Sequence, residues 1–349
     1  MRRIIIADVK SNSRNGKMTG HSYPVSKNYI DLFSDSCEVK VAGGPVIANR
    51  FKPEEILKLP YDSVEGLSGW KNKMHTLGNC RFLFKETDSE DCIVIQHSGI
   101  STVLLGIAMF ARKRRNRIYL IQYDTDALSS CIKRLIYFFA KNKIAGLVCP
   151  SESIAKTYNL PKCVVTDFIY HYKEVVQTHD KKKYDFAVVG GIYEDKGVVE
   201  VAEKFADSTY KVLIAGNPAT SQLRDILSKI ASKAKNIDLR LGFIEDNDYY
   251  RYIREAKYCI LNYRGCYSQR SSGVVLDILF NQTPIIGHRC NALDFVEKEN
   301  VGLLYDDIEL FNPAVIMNNE VYNEYMSGIK VFLDHQRIYK KALFNFLQA

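Results

Sequence analysis

Short runs of apolar, mostly β-branched residues recur along the chain and alternate with stretches whose apolar positions return every three or four residues. In the first half the runs are RRIIIADV, CEVKVAGG, DCIVIQHS, RIYLIQYD, AGLVCPS and KCVVTDF, with helical spacing at 23–34, 100–113, 129–142 and 152–158. Runs apolar at successive positions belong to strands covered on both faces, and strands separated by helices pair in parallel. The pattern breaks at VVQTHDKKKYD, around 175–185, and restarts with DFAVVGG, YKVLIAGN, NIDLRLGF, YCILNY, TPIIG and GLLYD. Helical patterns lie between them at 196–206, 219–234, 246–256, 272–281 and 291–298, and from Asn319 to Ala349 the chain reads as helix without another strand. The expected fold class is α/β, with two Rossmann-like doubly wound domains, residues 1–170 and 182–318. Two such domains face a cleft at the carboxyl ends of their strands, where ligands of these sheets bind. A C-terminal helix, about 330–349, is expected to return to the first domain.

The 349 residues, 46% hydrophobic and 25% charged, suffice for two cores. Nine cysteines with no CxxC spacing suit reduced thiols better than a disulfide framework, and no metal is assigned. The opening MRRIIIADVKSNSRNG has too short an apolar run for a signal peptide, and no stretch approaches the roughly 20 apolar residues of a membrane span. A cytoplasmic protein is expected, either soluble or peripheral on the inner membrane face. The net charge of +8 is uneven: Arg112, Lys113, Arg114, Arg115 and Arg117 form a block, followed by Lys133, Arg134, Lys141 and Lys143. A solvated face, a nucleic-acid surface and an anionic membrane surface all fit such a block. No helix-turn-helix, finger or aromatic RNA-binding signature is present, so no nucleic-acid partner is expected. The adjoining apolar stretches VLLGIAMFARKRR and CIKRLIYFFAKNK favour the membrane over nucleic acid.

Four stretches at predicted strand ends of the second domain carry polar chemistry. VVGGIYEDKG sets Gly190 and Gly191 after a buried strand and Lys196 at a helix start. Glycines let backbone N–H groups approach an anion, and the helix start adds partial positive charge. A plain strand–turn–helix link with a solvated lysine fits these residues equally well. VLIAGNP ends in Gly216 and Asn217, and LRLGFIEDNDYYRYIREAKYCILNY presents Gly242, Phe243 and Ile244 ahead of an acidic helix start. YSQRSSGVVLDILFNQTPIIG places Ser272 and Gly273 at a helix start suited to a phosphate oxygen, with Asp277 one turn in. That carboxylate can accept from a ribose diol, or sit solvated at a domain edge.

The order and spacing of these stretches, closing with TPIIG and VGLLYD, resemble the C-terminal domain of GT-B glycosyltransferases and are most similar to the large retaining family 4. The resemblance spans Asp185 to Asp306. It implies that Lys196 binds the donor diphosphate and acts catalytically through its charge, with Gly190, Gly191, Gly216 and Asn217 around it. It also implies that Gly242, Phe243 and Ile244 pack on the nucleotide base. Ser271, Ser272 and Gly273 then approach the phosphates and sugar, and Asp277 binds the ribose hydroxyls, where the family has the second of two glutamates. Besides this Asp in place of Glu, the serine or proline usual after the YCILNY-type strand is absent, and two more positions depart from the family. Gln269 replaces the first glutamate, keeping hydrogen bonding but losing charge, and Gly191 stands where an arginine precedes the lysine by five. Arg270 or Arg264 is a candidate replacement cation. The implied donor is a UDP- or GDP-sugar, with retention, and no metal or other cofactor is required.

In the first half, KSNSRNGKMTGHSYP, with Gly16, Gly20 and His21, follows the first strand as a long polar loop. It fits an acceptor-side loop or a plain surface loop, and in the resembled family a loop here approaches the donor phosphates. His97, in IVIQHSG, suits hydrogen bonding to a sugar hydroxyl or proton transfer, or simple structural satisfaction. Asp124, Asp126 and Glu152 are further acceptor-side candidates. The implied activity is hexosyl transfer to a glycan or lipid-linked acceptor in surface polysaccharide biosynthesis. The alternative is a catalytically weakened subunit supporting a partner glycosyltransferase, motivated by Gln269 and Gly191; a sugar-nucleotide 2-epimerase ranks last.

Overall fold

The computed structural model describes residues 3–14, 17–18, 22–64, 66–96, 101–112, 117–166, 169, 181–265 and 272–348. They fall into two compact units, residues 1–171 with 337–349, and residues 172–336.

The first unit runs β1 (Arg3–Asp8), β2 (Asn12–Arg14), β3 (Lys17–Met18), α1 (Ser22–Phe33), β4 (Val39–Gly43), α2 (Pro45–Ala48), β5 (Ile56–Lys58) and β6 (Ser63–Val64). It continues through α3 (Gly69–Glu86), β7 (Asp91–Ile95), α4 (Ser101–Phe110), β8 (Arg117–Ile121), α5 (Cys131–Lys141), β9 (Ile144–Cys149), α6 (Glu152–Thr157) and β10 (Lys162–Val164). Among the described residues, a parallel sheet of order β10-β9-β8-β7-β1-β4-β5 forms its centre. Alternate strand residues serve two cores. Ile5, Ala7, Ile93 and Leu120 join Leu83, Leu104 and Ile107 of α3 and α4. Ile4, Ile6, Val94 and Tyr119 join Leu32 and Phe33 of α1. This second core also takes Leu343 and Leu347 from the end of α12 (Asn319–Gln348), and Phe344 stacks on Phe33 at 5.4 Å. Coverage on both faces is why these strands read as unbroken apolar runs.

Two features of this unit lie outside the hydrophobic pattern. Helix α3 buries Thr76 and Asn79 alongside Cys80, Leu83 and Phe84, which blurs its apolar stripe. Asn79 is satisfied there: its Nδ2 donates to the carbonyls of Val9 and Tyr61, and its Oδ1 accepts the Tyr61 N–H. The loop after β1 opens as a hairpin, β2 against β3, and β2 pairs in parallel with β6.

The second unit runs β11 (Tyr184–Val189), α7 (Val198–Phe205), β12 (Val212–Gly216), α8 (Ser221–Ala231), β13 (Ile237–Leu241), α9 (Asp246–Glu255) and β14 (Ala256–Leu261). It ends with α10 (Gly273–Phe280), β15 (Ile285–His288), α11 (Phe295–Lys298), β16 (Gly302–Tyr305) and most of α12. Its parallel sheet has the order β13-β12-β11-β14-β15-β16. Winding therefore proceeds outward from β11 one way and from β14 the other, and the carboxyl ends of those two strands bracket the reversal where ligands of such sheets lodge. No helix among the described residues is long and apolar enough to cross a membrane.

Candidate functional site

At the carboxyl end of β11 the backbone turns at Gly190 with φ +115°, a conformation L side chains rarely adopt. A Cβ built there finds nothing nearer than Lys196 Nζ and Tyr249 Cε2, both at 3.9 Å. The space over Gly190 is thus open and flanked by an ammonium and a phenol ring. The turn is held from below: Gly190 N–H donates to Ala215 O at 3.0 Å, and Ile192 N–H to Asn217 O at 3.0 Å. Gly216 is required by the same contact, since a Cβ there would lie 1.8 Å from Gly190 O. The Gly191 N–H makes no hydrogen bond among the described residues, leaving a backbone donor at this turn.

Lys196 closes a single 3₁₀ turn, Glu194–Lys196, that leads into α7. Its Nζ lies 5.8 Å from the centre of the Tyr193 ring and makes no hydrogen bond or ion pair among the described residues. Burial holds its pKa below the ordinary lysine value, only partly offset by the charge of Asp195. The following Gly197 is fixed to β14 by Asn262, whose Nδ2 donates to Gly197 O at 3.0 Å while its Oδ1 accepts from Tyr305 OH at 3.0 Å. The lysine turn is therefore anchored to both strands that bracket the reversal. Arg264 is committed elsewhere: its backbone N–H donates to Asp195 O, and its guanidinium pairs with Glu200 at 2.6 Å.

Asp277 belongs to the same neighbourhood through Tyr249. The Tyr249 hydroxyl donates to Asp277 Oδ2 at 3.1 Å, and burial together with the Asp277 charge pushes the phenol well above its usual range. It thus remains a donor at neutral pH. Lys196, Gly190, Tyr249 and Asp277 form a continuous run of neighbours near the carboxyl end of the central strand β11. At the α10 start, Ser272 caps no backbone N–H with its side chain; its Oγ shares a hydrogen bond with Tyr263 OH at 2.8 Å. The Gly273 turn thus keeps open backbone donors among the described residues. On the neighbouring strand end, Gly242 has φ +146° with nothing within 4 Å of a built Cβ. Phe243 beside it is 82% exposed, an unused apolar ring; Ile244 is half-buried and Asn217 exposed. Gln269, Arg270 and Ser271 lie outside the described residues.

In the first unit, the order reverses between β1 and β7, and Asp8 ends β1. Asp8 is 1% exposed; its Oδ1 accepts the N–H groups of Lys10 and Ser11, while its Oδ2 has no partner among the described residues. Ser11, at φ +46°, donates its hydroxyl to Asp8 O and accepts the Gly44 N–H. Burial, reinforced by the Asp8 charge, raises the pKa of neighbouring Asp62, against the opposing Val46 N–H. Asp124 is engaged in a turn, its Oδ1 accepting the Asp126 N–H at 2.9 Å and its carbonyl accepting from Gln122 and Tyr158. Asp126 pairs with Lys133. Gly16, Gly20, His21 and His97 lie outside the described residues. Sequence reasoning missed Asp8, Tyr249 and Asn262; Asp8 had a visible signal, an acid closing an otherwise apolar strand.

No family model matches the sequence, and no curated protein matches it. Solved structures do. The chain is similar to the α,α-trehalose-phosphate synthase (UDP-forming) of Burkholderia xenovorans in complex with glucose-6-phosphate, at 11% identity, TM-score 0.73 and 100% of both chains. It is likewise similar to Anabaena HepE in complex with UDP, at 10% identity, TM-score 0.70 and 100% of both chains. A third match is the trehalose-6-phosphate structure from E. coli bound with UDP-2-fluoro glucose, at 9% identity, TM-score 0.72, 99% of this chain and 98% of that one. These likenesses establish the architecture: the chain has the GT-B fold of nucleotide-sugar glycosyltransferases.

Tyr249→Phe removes a neutral donor from Asp277 without emptying the space beside Gly190. It is expected to change nucleoside diphosphate affinity by no more than about tenfold, the scale of one hydrogen bond. Titration calorimetry measures it, and a complete loss of binding would show that Tyr249 does more than orient Asp277.

Proposed function

We propose that the protein is a glycosyltransferase that takes a hexosyl group from a nucleoside diphosphate sugar and moves it, with retention, to a glycan or lipid-linked acceptor in surface polysaccharide biosynthesis. The observation that carries the donor half is the Lys196 ammonium, half-buried without a counter-ion among the described residues, beside the open Gly190 turn. A desolvated cation with that opening in front of it is complementary to an anion of diphosphate size. Gly191 and the α10 start add backbone donors, so charge developing on the leaving diphosphate meets preorganised partners, and this reading asks for no metal. Asp277 takes the ribose hydroxyls and Phe243 offers its exposed face to the base. The UDP and UDP-2-fluoro glucose bound in similar structures favour a uridine donor over a guanosine one.

Thermal unfolding in the presence of UDP, GDP, ADP or CMP tests the proposal. Stabilisation by UDP or GDP is expected, worth about 2.7 kcal/mol at a hundredfold excess over Kd. Lys196→Ala abolishes it. If no nucleotide stabilises the protein, the donor site is wrong. Arg264, tied to Glu200, favours a second reading, a weakened subunit supporting a partner glycosyltransferase. Nucleotide binding without turnover against any sugar nucleotide is its signature.

A further inference from the structure

Helix α5 in the first unit inverts the usual rule for a surface helix. Its inner side, with Ala140 buried and Ile136 and Tyr137 half-buried, packs on the sheet and on α4. Its outer side is also apolar: Ile132 is 73% exposed, Leu135 57%, Phe138 54% and Phe139 60%. These four recur at helical spacing and share one arc of about 120° around the helix, adjoining the arc of Ile136, Tyr137 and Ala140. Arg134 and Lys141 border them; Arg134 makes no side-chain hydrogen bond or ion pair among the described residues, and the Lys141 ammonium sits 4.8 Å from the Phe138 ring centre.

The charge along this stretch of sequence is mostly of one sign. Between Cys92 and Ser151 the sequence holds nine Lys and Arg against two acids, Asp124 and Asp126. Both acids are occupied, one in its own turn and one with Lys133. Helix α4, packed on α5, ends with exposed Met109 and then exposed Arg112.

We infer that the outer face of α5 docks on an anionic lipid bilayer. A bilayer surface supplies both complements at once, acyl chains for the four apolar side chains and phosphate headgroups for Arg134, Lys141 and Arg112. A nucleic acid offers nothing to desolvate Ile132 and Leu135. A second copy of the chain would bring an equal excess of cations to the same face and be repelled. The inference does not depend on the donor site, which lies in the other unit.

Co-sedimentation with vesicles tests it. The wild-type protein is expected to bind mixed phosphatidylcholine–phosphatidylglycerol vesicles at low salt, more weakly in molar salt, and little on phosphatidylcholine alone. Leu135→Ser with Phe139→Ser is expected to lower the partition coefficient at least about tenfold, with circular dichroism unchanged because both side chains are exposed. Arg134→Gln with Lys141→Gln is expected to remove most of the preference for phosphatidylglycerol and leaves the apolar face intact. No binding by the wild type at low salt overturns the inference, as does undiminished binding by both double variants. A concentration-dependent dimer abolished by the serine substitutions overturns it too, assigning the face to a second copy.

Discussion

Lys196→Met is expected to lower kcat/KM for the sugar donor about a hundredfold, roughly 3 kcal/mol of transition-state stabilisation, while raising the melting temperature of the donor-free protein. Both effects have one cause. Burial holds the ammonium below the ordinary lysine pKa, and no hydrogen bond or ion pair among the described residues offsets it. A lysine depressed in the folded state costs stability as pH falls from the unfolded value through the folded one, and the cost is fully present below the folded value. Methionine keeps the length and the apolar stem but removes the charge, and substitutions that relieve a functional liability commonly return about 0.5–2 kcal/mol. A bound diphosphate is expected to reverse the sign, since the ammonium then has its counter-charge. The wild type is therefore expected to gain more from nucleotide than it loses by carrying the charge, and the variant to gain nothing. Steady-state kinetics and thermal unfolding with and without UDP give both numbers. A variant retaining a third of wild-type kcat/KM would remove Lys196 from the reaction.

The parts of this fold visible in the sequence are those set by local rules. Strands buried on two faces are continuous apolar runs, so β1, β7, β11 and β12 announce themselves, and a strand–glycine–helix junction marks Gly190 and Lys196 before any coordinates exist. What stays hidden depends on partners far along the chain. Tyr249, Tyr250 and Tyr252 crowd one helix, and spacing alone does not say which of them meets Asp277; the structure chooses Tyr249, exposes Tyr250 and sets Tyr252 under Arg240. Asn262 looks like a polar residue at a strand end, and its role emerges only from Gly197 and Tyr305, more than 40 residues away on either side. Helix α3 escapes the periodicity because Thr76 and Asn79 occupy buried positions, Thr76 donating to the Asn72 carbonyl one turn back and Asn79 to the carbonyls of Val9 and Tyr61. The pairing of β2 with β6 joins segments about 50 residues apart, beyond any local signal. Tertiary hydrogen bonding, not propensity, decides these cases.

Phe186→Ala is expected to destabilise the second unit by about 3–5 kcal/mol, the range for emptying a large aromatic site. Phe186 is 0% exposed on β11, the strand whose end carries Gly190. Its ring meets Phe205 at 4.8 Å, Tyr210 at 5.6 Å, Tyr258 at 6.0 Å and Phe311 at 6.5 Å. Two of these neighbours cannot move in to fill the void. Tyr258 is pinned by its hydroxyl to Ile316 O, and Phe311 is stacked on Tyr305, itself bonded to Asn262. The upper half of the range follows, because a cavity whose walls do not relax keeps its full cost. The lone tryptophan, Trp70, sits on α3 of the first unit and reports nothing here. Hydrogen exchange resolved to peptides is the measurement: β11 and β12 should exchange faster while β1 and β7 do not. Nucleotide affinity at low temperature is expected to survive, since β11 keeps its register against β12 and β14 through backbone bonds alone. A loss below about 1 kcal/mol would mean that the aromatic cluster collapses after all, and that Tyr258 and Phe311 are less firmly held than their contacts imply.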